Sequence, residues 1–198
     1  MTMKLGKILS LSGAIAVFST TVPAMAVPAQ IFTPYLQEIK ENLPPGYAIR
    51  LPEDIRLSEI ASPDLFNKLI VRVFPTNTPR GMTVGLFTCK TSNLPCLVGT
   101  FSVDSEKSYS GLREFYKIKA EGEEVSLSPT VKGYFMKGSN NKPKIPFSTL
   151  TWRQDGMIHS LTFPTTEREN IIWMGSSMVN QRSPIRSPRR RVSSIQIG

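Results

Sequence analysis

Two cysteines carry the most definite chemistry in this sequence. Cys89 and Cys96 are the only cysteines in the chain, and the segment Lys90–Pro95 separates them. If the flanking segments pair as antiparallel strands, the two Cα atoms lie roughly 4.5–5.5 Å apart, which suits a disulfide. The alternatives are a redox-active pair, although no C-x-x-C motif is present, and a metal site, although two thiolates and one histidine are too few for a closed zinc site. We therefore predict a structural disulfide and no bound metal.

The only histidine, His159, is the natural candidate for a catalytic base. Asp155-Gly156 predicts a two-residue hairpin turn, which would place Trp152 directly opposite His159 as a cross-strand aromatic pair. A catalytic base would also need a nucleophile and an orienting group. The sequence contains no G-x-S-x-G, H-E-x-x-H, G-x-G-x-x-G or phosphate-binding loop. We therefore name no catalytic residue and expect no cofactor, and a hydrolase is the weakest functional alternative.

Trp173 falls on the polar side of its predicted helix. Ile171, Gly175 and Met178 form the apolar side, roughly opposite the indole. Trp173 therefore either packs on another part of the fold or anchors a partner protein, since tryptophan is enriched at interaction hot spots. We keep both alternatives, and Trp173 is our candidate for a partner contact.

The C-terminal residues 182–198 are rich in arginine and contain no acidic residue. The five arginines are Arg182, Arg186, Arg189, Arg190 and Arg191. A segment of this composition cannot bury a core, so we predict a disordered tail. The tail either has no fixed role or makes a weak contact with an anionic membrane surface, at about 1 kcal/mol per basic residue.

The net charge of +9 is unevenly distributed along the chain. The tail contributes its five arginines and the first residues contribute Lys4 and Lys7, so residues 27–181 are nearly neutral. This part of the chain shows no basic stripe with interleaved aromatic residues, so we expect no specific nucleic-acid binding. The arginines of the tail would bind polyanions only without specificity.

Residues 1–26 have the three zones of a cleavable export signal. Lys4 and Lys7 precede an apolar stretch over residues 8–22, and Ala24 and Ala26 give the A-x-A pattern that a signal peptidase accepts. The apolar stretch is shorter than the roughly 20 residues that span a bilayer, although an uncleaved anchor is the alternative. We predict an exported protein that works in the periplasm or the thylakoid lumen.

Residues 27–181 predict a single α+β domain. The order is a helix, four strands, a helix, about four strands and a final helix. Strands joined by short loops cannot be parallel neighbours, so we expect an antiparallel sheet of about six to eight strands flanked by helices. Several strands are apolar on both sides, which favours helices on both faces of the sheet. The sequence does not indicate an oligomeric state.

The predicted helices have recognisable starts. Ser105 is the expected cap of the middle helix, and Thr166 with Glu169 forms a capping box before the final helix. Four residues are expected to share the apolar face of the middle helix: Tyr109, Leu112, Phe115 and Tyr116.

The order of motifs resembles an uncharacterised family of exported cyanobacterial proteins. The resemblance is carried by CLVGTFSVDS, a helix, VKGYF, LTWRQDGMIHSLTF, and EREN followed by SSM, and it ends near Gln181. More distantly, the layout is similar to PsbP-like proteins of the thylakoid lumen, which have a twisted antiparallel sheet between helices. Val131-Lys132-Gly133 and the Trp152–Phe163 hairpin occupy the corresponding places.

We predict an exported, non-enzymatic accessory or binding protein, a protein–protein interaction module that is associated with a membrane complex as PsbP-like proteins are. No functional residue is carried over from the family. The alternative is a carrier or sensor of an apolar ligand held between the sheet and a helix.

Overall fold

The computed structural model describes residues 27–58, 68–77, 80–90, 96–139 and 147–188. The predicted export signal and Arg189, Arg190 and Arg191 lie outside these ranges. Within them, none of the helices combines the length and the apolar character needed to cross a membrane.

The described residues form three α-helices and nine β-strands. The helices are α1 (Leu36–Asn42), α2 (Tyr109–Glu121) and α3 (Arg168–Asn180), with short 3-10 helices at Gln30–Tyr35 and Thr165–Glu167. The strands are β1 (Ala48–Ile49), β2 (Ile70–Asn77), β3 (Arg80–Phe87), β4 (Leu97–Ser105), β5 (Glu123–Ser126), β6 (Lys132–Met136), β7 (Phe147–Gln154), β8 (Met157–Pro164) and β9 (Ile185–Arg186).

Seven of the strands form one antiparallel sheet. Its order is β2-β3-β4-β8-β7-β6-β5, and β1 pairs with β9 in a separate two-stranded ribbon. The chain builds β2 to β4, crosses through α2 to the far edge, and returns through β5, β6 and β7 to pair β8 with β4. The predicted α+β class, an antiparallel sheet flanked by helices, is confirmed.

The β7–β8 hairpin has the predicted register. Trp152 lies opposite His159, and Arg153 lies opposite Ile158. Asp155 and Gly156 both have positive φ angles, 55° and 74°. Two consecutive positive φ angles are what a two-residue turn needs to follow the twist of its strands, and Asp-Gly adopts them readily.

One face of the sheet, which we call the core face, packs against α1, α3 and the first 3-10 helix. Phe32 of that 3-10 helix meets Phe101 of β4 edge to face, with 5.4 Å between ring centroids. On α3, Gly175 packs so closely on the sheet that an added Cβ would lie 2.5 Å from a methyl carbon of Leu150. The sheet and α3 are therefore in close contact at this point, which leaves no space for a ligand between Gly175 and Leu150.

The other face of the sheet, which we call the hydroxyl face, is only partly covered. α2 lies over β6, β7 and β8, and Phe115 packs against Tyr134 at a centroid distance of 5.7 Å. Beyond α2 the face carries hydroxyls that hydrogen bond in pairs across neighbouring strands. The pairs are Thr83 with Ser102, Thr149 with Thr162, and Thr151 with Ser160.

Both predicted helix starts were wrong by a few residues. Ser108, not Ser105, caps α2, because its Oγ accepts a hydrogen bond from the Gly111 N–H at 3.2 Å. Ser105 is instead the last residue of β4. The final helix begins at Arg168, after a 3-10 turn that contains Thr166.

The predicted tail begins later than Arg182. Ile185 pairs with Ile49 and Arg186 pairs with Ala48, and the Ser187 N–H donates to the Tyr47 carbonyl at 3.1 Å. The predicted domain boundary at residue 181 was therefore wrong, since the fold continues at least to Ser187. Composition missed this because Ile185, which packs against the core, is surrounded by polar residues.

A disulfide joins Cys89 and Cys96, with 5.6 Å between their Cα atoms. It links the end of β3 to the start of β4, as the spacing predicted. A disulfide is stable in oxidising compartments and rare in the cytosol, so its presence is consistent with export.

We expect the double variant Cys89→Ser/Cys96→Ser to lose about 2–3 kcal/mol of unfolding free energy, because the unfolded chain regains the entropy of an eight-residue loop. Urea unfolding at neutral pH measures the difference. Wild-type protein reduced with dithiothreitol is the control and should match the variant. Equal midpoints for oxidised and reduced wild type would contradict the prediction.

Candidate functional site

His159 lies inside the core face and not in a cleft. Its side chain is 1% exposed, and its ring stacks on Trp152 with 5.3 Å between centroids and an interplanar angle of 18°. Val103 is its neighbour on β4. A substrate has no access to the imidazole in this arrangement.

Burial keeps His159 neutral. Its pKa is lowered from the ordinary value of 6.5 to about 4: desolvation is the largest cause and the positive charge of Arg50 adds to it, while Asp155 and a backbone hydrogen bond at Gln154 act in the opposite direction. A buried imidazole without access to solvent cannot exchange protons with a substrate. The hydrolase alternative therefore loses the only base that the sequence offered.

Trp173 is covered by an arginine. The guanidinium carbon of Arg56 lies 3.5 Å from the centroid of the indole ring, which is the geometry of a cation–π contact. The ring is half-buried and packs against the core cluster, while Arg56 is exposed and lies 3.5 Å from Asp54. Of the two alternatives for Trp173, these contacts favour packing within the fold.

The predicted arginines have different environments. Arg186 lies on β9 and is exposed, and Arg182 is exposed in the link between α3 and β9. Arg189, Arg190 and Arg191 lie outside the described residues. The cysteine pair, Trp173 and these arginines occupy different elements, so no single site combines all of them.

A surface that the sequence reading missed lies on α2. Tyr109 is 82% exposed and Tyr116 is 52% exposed. They are seven residues apart, two helical turns, so both lie on the same side of the helix. Arg113 and Lys117, both exposed, lie on that side between and beside the tyrosines. We call Tyr109, Arg113, Tyr116 and Lys117 the outer face of α2.

The orientation of α2 is set by the side of the helix that faces the sheet. Phe115 and Ile118 are buried, and an added Cβ on Gly111 would lie 3.2 Å from the Asp104 Cβ. Gly111, Phe115 and Ile118 follow the spacing i, i+4, i+7, so they form the inner stripe. The predicted apolar face with Tyr109 and Tyr116 was therefore wrong, because close approach at Gly111 turns both tyrosines outward.

The start of α2 is fixed to the β7–β8 turn. The Glu106 N–H donates to the Gly156 carbonyl at 3.2 Å, and Arg153 pairs with Glu106 at 2.6 Å. The hydrogen bond from Arg153 lowers the pKa of the Glu106 carboxyl, so this pair is ionised near neutral pH. The guanidinium of Arg153 also lies 5.7 Å from the centroid of the Phe115 ring.

The two cations of the outer face of α2 differ in their neighbours: Arg113 has no acidic residue three or four positions away, whereas Lys117 has Glu114 at i−3 and Glu121 at i+4. Within the described part of the chain, the structure gives Arg113 and Lys117 no carboxylate partner, and the same holds for Lys107 just before the helix. The acidic residues Glu114 and Glu121 lie on the flank of α2, roughly 100° or more around the axis from the centre of the face. The centre of the face therefore combines two aromatic rings with Arg113, and glutamates lie at its edge beside Lys117.

The carrier alternative requires an apolar cavity between sheet and helix. A surface cavity of about 440 Å³ lies beside the first 3-10 helix. Among the described residues its lining includes Gln30, Ile31, Tyr35, Asp54 and Leu69, with no residue of the large sheet. Polar side chains and an open mouth distinguish it from an enclosed apolar site.

The described ranges contain no group of three or more histidine, cysteine, aspartate or glutamate side chains that could hold a metal ion. Comparison of the chain with protein-family models, with curated proteins and with solved structures finds no match. The resemblance to exported cyanobacterial and PsbP-like proteins therefore stays a prediction, and no residue role comes from a relative.

Acidification should destabilise the protein through His159. Above pH 6.5 the imidazole is neutral in both the folded and the unfolded protein. Between pH 6.5 and about 4 only the unfolded protein takes up the proton, so the free energy of unfolding decreases as the pH is lowered. The loss is complete below about pH 4 and amounts to about 3 kcal/mol.

His159→Phe keeps the stack on Trp152 and removes the titrating group. Urea unfolding of both proteins at pH 7, 5.5 and 4 isolates the contribution of His159, because the carboxyl groups are common to both. Parallel stability curves for the two proteins over this range would show that His159 does not titrate as expected.

Proposed function

We propose that the protein is an exported, non-enzymatic accessory protein that binds a partner protein of a membrane complex through the outer face of α2. One observation carries the proposal: Tyr109 and Tyr116 are exposed on one side of the helix and bracket Arg113, with Lys117 beside them. The predicted export signal and the disulfide support a location outside the cytosol.

The composition of the outer face suits a protein partner. Tyrosine and arginine are enriched at interaction hot spots, where they combine a large contact area with polar groups. Membrane-surface helices instead bury leucine, phenylalanine or tryptophan among the lipid chains. Ala120 is the only aliphatic residue at the centre of this side of α2, so lipid insertion would gain little.

The charge of the outer face defines the chemistry of the partner. Arg113 presents a cation between the two tyrosines, with Lys117 beside it and Glu114 and Glu121 at the edge of the face, so an acidic protein surface is complementary to the centre of the face. Such complementarity accelerates association and weakens with added salt.

The outer face is also held in place before binding. The Ser108 cap and the Glu106–Arg153 pair fix the start of α2, and Phe115 and Ile118 fix its inner side. A surface on a rigid element loses less entropy on binding than a mobile loop does.

Photo-crosslinking in intact cells tests the proposal. A benzoylphenylalanine residue at position 109 or 116 should give a discrete protein adduct from the membrane fraction, because both side chains face the partner. The same residue at position 40, which is exposed on α1, is the matched control and should give none.

Arg113→Glu in the background of the position 109 probe should reduce the adduct yield about tenfold or more, since charge reversal at a hot spot removes more than about 1.4 kcal/mol. Lys40→Glu makes the same change in charge on another helix and should have no effect. The proposal is overturned if Arg113→Glu leaves the adduct yield unchanged. It is also overturned if no protein adduct forms and wild type and Arg113→Glu bind phosphatidylglycerol vesicles equally well.

A further inference from the structure

A small cavity opens at one corner of the core face, where β3 begins and β4 ends. Its volume is about 260 Å³, and its lining among the described residues is Tyr47, Arg80, Ser105, Lys107 and Ser108. We call it the corner cavity. It is smaller than the roughly 300–1,000 Å³ of sites for drug-sized ligands, so its size suits a small ligand.

The strands of the large sheet position two residues of the corner cavity. Arg80 lies two residues before the buried Met82, and Ser105 lies two residues after the buried Val103. Because side chains alternate along a strand, Arg80 and Ser105 both belong to the core face. β3 and β4 are antiparallel neighbours, so both residues lie at the same end of the sheet. The Tyr47 hydroxyl donates to the Arg80 carbonyl at 2.9 Å and holds this end of β3.

Three side-chain donors of the corner cavity have no acceptor among the residues that the structure describes. Two of them are the guanidinium of Arg80 and the ammonium of Lys107, which have no carboxylate partner there. The third is the hydroxyl of Ser105, whose oxygen accepts a hydrogen bond from the Lys107 N–H at 3.1 Å and whose own O–H is not used. The cavity therefore combines two cations with a neutral donor.

The backbone N–H groups around the start of α2 are already in use. The Glu106 N–H donates to the Gly156 carbonyl, and the Ser108 N–H donates to the Ser105 carbonyl at 2.9 Å. The Gly111 N–H donates to the Ser108 hydroxyl. A ligand in the corner cavity would therefore be held by side chains and not by the N-terminus of the helix.

The carboxylates on either side of Ser105 in the sequence are directed elsewhere. Asp104 belongs to the hydroxyl face, where its carboxylate lies over Gly81 and its Cβ approaches Gly111. Glu106 pairs with Arg153 at 2.6 Å. Neither carboxylate neutralises the cations of the corner cavity, so both cations are available to an anion.

We propose that the corner cavity binds the phosphate group of a small molecule. A phosphate monoester carries a charge of about −1.5 to −2 near pH 7 and three acceptor oxygens, which match two cations and three donors. Arginine offers a fork of N–H groups that fits phosphate, and lysine adds a point charge. A carboxylate has one charge and two oxygens, so it would leave one of the two cations without balance.

This binding site goes beyond the proposed function. The corner cavity shares no residue with the outer face of α2, which consists of Tyr109, Arg113, Tyr116 and Lys117. Loss of phosphate binding would therefore leave the crosslinks from positions 109 and 116 unchanged, and failure of the crosslinks would leave phosphate binding unchanged.

An NMR titration of the mature protein with methyl phosphate, at constant ionic strength and pH 7.5, tests the site. The amide signals of Arg80, Ser105, Lys107 and Ser108 should shift to saturation, because the ligand contacts their side chains. Acetate is the matched anion with one charge and two oxygens. It should bind about tenfold more weakly or worse, since it makes at least one charge-assisted hydrogen bond fewer.

Arg80→Gln and Lys107→Gln should each weaken the binding of methyl phosphate about tenfold or more, because each removes a charged donor. Arg80→Gln keeps the backbone carbonyl that accepts from Tyr47, so its spectrum should remain that of the folded protein. Lys40→Gln removes an exposed cation from α1 and should leave the affinity unchanged.

Three results would refute the site. The first is a set of shifts that grow without saturation or extend equally to Lys40, which would show an adventitious ion only. The second is acetate binding as tight as that of methyl phosphate. The third is equal affinity of wild type and Arg80→Gln for methyl phosphate.

Discussion

β4 and β8 pair over six residues at the centre of the sheet, and this pairing joins the two halves of the chain. Within the large sheet, the strands β2–β4 before α2 and the strands β5–β8 after it form separate meanders that meet only at this seam. The pairing places Val103 beside His159, which puts the imidazole in the core. It also brings the end of β4 to the β7–β8 turn, so that Glu106 can bond Gly156. The positions of α2 and of the histidine are both consequences of this one seam.

The β7–β8 turn connects two polar arrangements on opposite faces of the sheet. On the core face, Asp155 balances the buried Arg50. On the hydroxyl face, Arg153 and the Gly156 carbonyl hold Glu106 at the start of α2. The titrating groups nearby differ in environment: a hydrogen bond from the partly exposed Arg153 lowers the pKa of the Glu106 carboxyl, whereas burial lowers the pKa of His159.

The sequence predicted correctly the features that depend on residues close together in the chain. The Asp-Gly turn defined the register of its hairpin, and the spacing of Cys89 and Cys96 defined the disulfide. The errors came from long-range contacts. The carboxylate of Glu167, just before α3, accepts hydrogen bonds from Ser58, 109 residues away, and the sequence of the capping box cannot reveal this. In the same way, β9 forms only because it pairs with β1, which is far away in the sequence. The rotation of α2 about its axis depends on the contact between Gly111 and Asp104. Tyrosine occurs both in cores and on surfaces, so the sequence could not show which side Tyr109 and Tyr116 would face.

Trp173 and the outer face of α2 are both aromatic surfaces, and their contacts distinguish them as sites for a partner. A protein that stacked on Trp173 would first have to displace Arg56, losing a cation–π contact that is worth about 0.5–1 kcal/mol at an exposed position. Tyr109, at 82% exposure, has almost no intramolecular contact to lose. Its ring is amphipathic and has only two χ angles to fix, so most of the area that it buries contributes to affinity. A partner that binds at Tyr109, next to an arginine without a carboxylate partner in the described part of the chain, therefore breaks fewer existing contacts than one that binds at Trp173.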